Sequence, residues 1–128
     1  MKVAEAMRRQ FQTVKPAESV QVAAQTMAEG DEHALLVLDE GDRLIGIVTE
    51  RDITVRAVAD AKPPAETPIS DIMSGDVFTC GPDDDAADLA KLLNERQIEQ
   101  APVLDGDRTV GLLVLADLAA DFAEAASG

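Results

Sequence analysis

The stretch Gly46-Ile47-Val48-Thr49-Glu50-Arg51-Asp52 combines residue types suited to holding a phosphorylated sugar. An apolar run ends here and a helical pattern begins. The backbone N–H groups of a first helical turn and the positive end of its dipole favour an anion, and the Thr49 hydroxyl is placed to donate to the same anion. One turn later Asp52 offers a carboxylate to the paired hydroxyls of a ribose, while Arg51 adds a mobile cation for phosphate. Gly46 removes side-chain bulk where a ligand or another strand must approach closely. The same Thr-x-x-Asp spacing is also a capping box, in which Thr49 caps the helix and Asp52 answers it with no ligand involved. Taken alone, the heptad is compatible with both readings.

The other reactive side chains make weaker cases. Asp83-Asp84-Asp85 with Asp88 suggests a divalent cation, yet acidic residues are expected at a helix N-terminus from the dipole, and three successive side chains do not converge on one ion. The lone His33 begins a strand with no second His or Cys nearby, which favours a rim or surface position over a metal ligand. Cys80 lacks an identifiable base, and its repeat equivalent Val14 marks an apolar position. No residue set supplies a nucleophile with its base, facing carboxylates or ordered metal ligands, so an enzyme is not the expected class.

The elements that position these residues occur twice. At an offset of 66, Val3-Ala4-Glu5-Ala6-Met7 aligns with Ile69-Ser70-Asp71-Ile72-Met73, Thr13 with Thr79, Pro16 with Pro82, and Leu36-Val37-Leu38-Asp39 with Pro102-Val103-Leu104-Asp105. After a one-residue gap, Gly46 to Asp52 falls on Gly111 to Asp117. This is two copies of one unit, since the period is too long for a solenoid. In the first copy the pattern predicts a short strand over 12–15, a helix capped by Ser19 and ended by Gly30, a hairpin of 34–38 and 44–48 around Asp39-Glu40-Gly41-Asp42, and a helix from Glu50 to about Asp60. The second copy predicts Asp85 as N-cap, a helix over 86–96, strands over 101–104 and 109–114, and a helix from about Ala116 to Ala125. The prolines at 63, 64 and 68 make a linker, so the organisation is repeat 1 over 1–62, linker over 63–68 and repeat 2 over 69–128. A unit of this size has marginal burial alone, and the pair is expected to share a core.

Composition narrows the function. The chain has 128 residues, 46% of them hydrophobic, which is enough for one compact module. Its net charge of −14 repels nucleic acid and anionic membrane alike. No apolar run approaches a bilayer span, the start lacks a secretory pattern and the single Cys80 cannot form an internal disulfide, so a cytoplasmic location is expected. Residues 1–66 carry eight Lys/Arg against twelve Asp/Glu, and residues 67–128 three against thirteen. On that count an anion should prefer groups of the first half. With three Phe and neither Trp nor Tyr, a planar ligand would lie against aliphatic groups and backbone.

The repeated unit, the Met at each entrance (Met7, Met73) and the Gly-aliphatic-aliphatic-Thr-x-x-Asp segment closing the second strand resemble a cystathionine β-synthase (CBS) domain pair over nearly the whole chain. The pattern is loose in one repeat and fairly specific when found twice in register. The resemblance implies an α/β fold in which two βαββα repeats pack with pseudo-two-fold symmetry into one compact module. It also implies clefts between the repeats for AMP, ADP, ATP or a related adenosyl ligand such as S-adenosylmethionine. By position, Asp52 would hold the ribose, Thr49 the phosphate, and Thr13 with Val14 the purine edge through backbone groups. The second copy keeps Gly111 and Asp117 and has Thr79-Cys80 for Thr13-Val14, but Val114 stands where Thr or Ser is expected. Valine neither donates to phosphate nor caps a helix, so this site is expected to be empty or to take a ligand with less phosphate.

The leading expectation is therefore a stand-alone regulatory module with no obligatory cofactor, signalling to an unidentified protein target through a nucleotide-dependent change in conformation or dimer geometry. A homodimer is expected, with the alanine-rich last helix (Ala116, Ala119, Ala120, Ala123, Ala125, Ala126) allowing close helix approach. The alternative is a protein-interaction scaffold with vestigial clefts, in which Thr49 and Asp52 are caps and nothing more.

Overall fold

The structure is a computed structural model that describes residues 1–118. It is mixed α/β with two repeats. In chain order it contains α1 (Val3–Ala6), β1 (Thr13–Val14), α2 (Val20–Gly30), β2 (Ala34–Leu38), β3 (Leu44–Thr49), α3 (Glu50–Asp52), α4 (Ala86–Glu95), β4 (Gln100–Asp105) and β5 (Arg108–Val114). A π-helical segment, Ile53–Val58, continues α3, and a 3-10 turn, Ile69–Asp71, follows the proline-rich stretch. Residues 115–118 are helical, while the rest of the expected last helix, with its alanines from Ala119 onward, lies outside the described residues.

The chain divides into two compact units, Gln12–Val77 and Met1–Phe11 together with the chain from Phe78 onward. These units are not coextensive with the sequence repeats, because each repeat's opening segment packs with the body of the other repeat. Burial explains the exchange. Ile69 and Ile72 are fully buried in a cluster with Val20, Leu35 and Val48, whereas Val3 is fully buried with Leu93, Val103 and Leu113. Each opening segment thus completes a small core that one repeat would leave exposed to water.

In the unit of residues 12–77 the sheet order is β1-β2-β3, with β1 parallel to β2 and β2 antiparallel to β3. The hairpin turn is set by Asp39, whose Oδ1 accepts from the N–H groups of Gly41 and Arg43, both at 2.9 Å, while Asp42 adopts φ 61°. Helix α2 starts where expected, the Ser19 hydroxyl oxygen accepting from Val22 N–H at 3.1 Å. It ends at Gly30, as expected, and the left-handed position falls to the next residue, Asp31, at φ 53°, which the short polar side chain of Asp tolerates.

The helix expected from Glu50 to about Asp60 is different. It makes one α-helical turn and then widens, Ala59 N–H reaching Thr54 C=O and Lys62 N–H reaching Ala57 C=O, five residues back in each case. Two local features favour the widening. Ile53, Thr54 and Val55 are consecutive β-branched residues, and the Thr54 hydroxyl donates to the Glu50 carbonyl at 3.0 Å, competing with the backbone for that acceptor.

The second unit repeats this plan. β4 and β5 are antiparallel, and Cys80 makes a single parallel bridge to Val103, standing where β1 stands in the first unit. The Asp85 carboxylate caps α4 by accepting from Asp88 N–H at 3.0 Å. In both units the entrance segment adds one antiparallel bridge to the returning strand, Ser74 to Ile47 and Arg8 to Leu112.

Candidate functional site

Strand β3 ends at Thr49 and α3 begins with the next residue, so backbone direction changes where the candidate chemistry lies. The capping box is formed. Thr49 Oγ1 accepts from Asp52 N–H at 3.1 Å, and Asp52 Oδ2 accepts from Thr49 N–H at 2.9 Å. Capping does not exhaust these groups. The Thr49 oxygen is used as an acceptor, so its hydroxyl proton remains available to an anion, and a carboxylate has about four acceptor positions of which the cap takes one. Asp52 is only 8% exposed, and its Oδ1 has Arg56 Nε 3.9 Å away. The Arg56 guanidinium also donates to the Ile72 carbonyl at 3.3 Å, tying this helix to the entrance segment. Arg51 is exposed and has no ion-pair partner among the described residues, a free cation within two positions of Thr49.

The sheet places the other candidates. The register Val14↔Val37↔Gly46 puts Val14 and Gly46 in one row across β1, β2 and β3, with Thr13 in the next row. Two strand spacings separate β1 from β3, about 10 Å. Because β1 is the edge of its sheet, its outward backbone groups are not taken up by a neighbouring strand among the described residues. Val14 is 3% exposed and its side chain belongs to the core, so only its backbone is available for recognition. Gly46 is needed for strand approach: a Cβ there would lie 2.8 Å from Met73 Sδ and 2.9 Å from the Ser74 carbonyl oxygen.

The second junction is built differently. Gly111 is covered in the same manner, a Cβ meeting Met7 Sδ and lying 3.0 Å from the Arg8 carbonyl oxygen. Leu115 N–H donates to Glu99 C=O at 2.8 Å, matching the Glu50 to His33 bond of 3.0 Å in the first unit. Asp117, however, faces Arg8, whose Nε donates to Oδ2 at 2.8 Å and whose Nη2 donates to Oδ1 at 3.0 Å. The hydrogen bonds from Arg8, and its charge, hold this carboxyl below its ordinary range. Thr79 is exposed and Cys80 is 8% exposed. Burial, with a contribution from the charge of Asp84, pushes the Cys80 thiol up to about 11, which leaves little thiolate near neutrality.

The charge argument from sequence halves does not survive folding. Because the opening segments exchange, residues 12–77 hold five Lys/Arg against thirteen Asp/Glu, while 1–11 with 78–128 hold six against twelve. Lys2, Arg8 and Arg9 belong to the second unit, so preference for an anion at Thr49 rests on local groups, above all Arg51. The acidic run has structural work. Asp83 pairs with Lys2 at 3.5 Å, Asp84 accepts from Gly81 N–H at 2.8 Å and Asp85 caps α4. His33 Nδ1 lies 3.2 Å from Glu50 Oε2 on the surface.

Sequence reasoning missed Arg8 and Arg56 and gave Met7 and Met73 no contact. The methionines had a signal in their matched positions, but Arg8 had none because its repeat equivalent is the uncharged Ser74. Among the described residues no helix is long and apolar enough to cross a membrane.

Two copies of a strand–helix unit, each with a glycine-covered strand and an acidic residue in the first turn of the following helix, define a tandem α/β pair. The chain belongs to the CBS domain family, whose model matches residues 3–58 and again 69–124. It is 33% identical over 117 residues to the CBS domain-containing protein YhcV of Bacillus subtilis, covering 91% of this chain and 82% of that protein. It matches the solved CBS domain pair of protein MJ0100, in complex with 5′-methylthioadenosine and S-adenosyl-L-methionine, at a TM-score of 0.85 and 26% identity, over 97% of each chain. An inosine-5′-monophosphate dehydrogenase of Methanocaldococcus jannaschii is 30% identical over 107 residues, which is 83% of this chain but only 20% of that enzyme.

Proposed function

We propose that this chain is a regulatory module that binds an adenosyl ligand, AMP, ADP, ATP or S-adenosylmethionine, at the Thr49–Asp52 junction. The observation that carries the reading is the leftover hydrogen-bonding capacity of a partly buried, pre-oriented pair: the Asp52 carboxylate and the Thr49 hydroxyl are fixed by their mutual cap, yet one retains acceptor positions and the other its proton. The Asp52 carboxylate accepts the ribose diol, Thr49 donates to the first phosphate or its substituent, Arg51 supplies the counter-charge, and the edge of β1 at Thr13 and Val14 recognises the purine by backbone groups. The complex of the MJ0100 domain pair with two adenosyl compounds supports the ligand class.

Binding regulates only if the ligand prefers one arrangement of the module over another. The reading includes a homodimer as the responding assembly, with exposed Val55 and Val58, 48% and 61% exposed, as apolar surface on the first unit. Sedimentation is expected to give twice the chain mass of 13.5 kDa. The completed capping box favours a second reading, a protein-interaction scaffold in which the junction is structural.

Calorimetric titration of nucleotide-stripped protein with AMP, ADP, ATP and S-adenosylmethionine separates the two. The adenosyl reading expects saturable binding of one ligand per chain, weakened by Asp52→Ala about 10- to 100-fold, the scale of a lost hydrogen bond to a charged group. Folded protein that binds none of the four overturns it in favour of the scaffold.

A further inference from the structure

Asp52 and Asp117 occupy equivalent places in the two repeats, but their carboxylates are engaged differently. Asp52 accepts from its own cap residue and has a cation no nearer than 3.9 Å on its other oxygen. Asp117 has both oxygens in the fork of Arg8, at 2.8 and 3.0 Å. The geometry is fixed by backbone as well as by charge, since Arg8 N–H donates to Leu112 C=O at 2.8 Å and Leu112 N–H returns to Arg8 C=O at 2.9 Å, anchoring the arginine two residues before Val114. A ribose diol would have to take the same two oxygens. It is neutral, whereas a guanidinium–carboxylate fork is charge-assisted and roughly twice as strong per bond as a neutral pair. The first unit has no counterpart, because Ser74 stands where Arg8 would be and makes the same backbone bridge to Ile47 without carrying a charge.

We propose that Arg8 is a specificity-determining residue that occupies the Asp117 carboxylate and so restricts the chain to one adenosyl ligand, held at Thr49 and Asp52. The inference rests on the adenosyl-binding reading of the first junction. It assigns the inequality of the two sites to an interaction across 109 positions of sequence, in addition to the missing hydroxyl at Val114. Removing the guanidinium leaves Asp117 as an open acceptor for a ligand that does not need a phosphate donor.

The test is equilibrium dialysis of the full chain with adenosine, chosen because it makes no demand on Val114, and with AMP in parallel. The proteins are wild type, Arg8→Ser, Arg8→Ala and Arg8→Ser combined with Asp117→Ala. The expected result is one adenosine per chain for wild type, one more for Arg8→Ser, and loss of that additional ligand in the double variant. Arg8→Ala gives the same rise and serves as the second variant if Arg8→Ser does not fold. A wild type that already takes two adenosines overturns the proposal, as does a stoichiometry unchanged by both Arg8 substitutions. A wild type that binds one ligand while the substitutions add none leaves the Thr49–Asp52 reading standing and removes only the role of Arg8. A wild type that binds none while Arg8→Ser binds one, lost on Asp117→Ala, removes the first-junction reading and retains that role.

Discussion

The two strand–helix junctions descend from one pattern and solve the same local problem in opposite ways. At Thr49 the helix start is capped within the chain's own four residues, and the acid that completes the cap is buried. At Val114 no hydroxyl is available, and the acid of the following turn is satisfied by an arginine from the opposite end of the sequence. A short-range solution leaves part of the junction's hydrogen-bonding capacity unused. A long-range one uses it for cohesion between the entrance segment and the strand it covers. Equivalent residues in a tandem repeat therefore need not keep equivalent roles, because two unlike positions, Val114 against Thr49 and Arg8 against Ser74, give the carboxylate different partners.

The comparison is broken most severely at Asp52, where Asp52→Ala removes both the proposed ribose acceptor and half of the cap. The binding loss should be accompanied by a fall in stability of about 1 kcal/mol from the cap alone, read by urea denaturation. Next come the two glycines. Gly46→Ala and Gly111→Ala both force a methyl against a methionine and a backbone carbonyl, and each should cost about 1–3 kcal/mol as overpacking in thermal melts. Similar costs would show that the entrance segments cover the two strands alike, in contrast to the acids.

Exchanging the cap residues sharpens the contrast. Thr49→Val copies the second junction into the first, costs about 0.5–2 kcal/mol as a lost N-cap, and should lower AMP affinity more than adenosine affinity. Val114→Thr should recover less stability than Thr49→Val loses, because Asp117 is held by Arg8 and does not return the bond. Equal and opposite changes would show that the arginine does not divert Asp117.

The smallest effect is that of Arg8→Ala on stability. The pair is partly exposed, its side chains 44% and 37% accessible, so solvent screening limits its contribution to about 1 kcal/mol or less. Its pH dependence is diagnostic. The folded-state pKa of Asp117 lies below its ordinary 3.8, so the contribution is present above 3.8 and is lost as pH falls through the lowered folded value. Wild type should be the more stable at neutral pH, and the two proteins should converge in acid.

Much of the first junction was legible because its determinants are local. Thr-x-x-Asp at the end of an apolar run dictates a cap whether or not a ligand is present, and periodicity located α2, the hairpin and α4 within a few residues. The widening after Asp52 was not legible, since helical periodicity does not distinguish four-residue from five-residue hydrogen bonding. Nor was Asp31 as the left-handed residue, because Gly30 beside it carries the stronger propensity for that place. Arg8 left no trace at all, as its partner lies 109 positions away and its repeat equivalent has different chemistry.

By itself the sequence determined the repeat, the order of elements in each copy and the placement of Thr49 and Asp52 in one helical turn, all through spacings of a few residues or one internal offset. Only the tertiary structure decided which entrance segment completes which core, and with it the covering of Gly46 by Met73, the capture of Asp117 by Arg8 and the levelling of charge between the units. The physical reason is that hydrogen-bond spacing along a chain is read locally, whereas apolar surface has no address. Val3 and Ile69 have the same character in the sequence, and only burial against particular neighbours assigns each to its core.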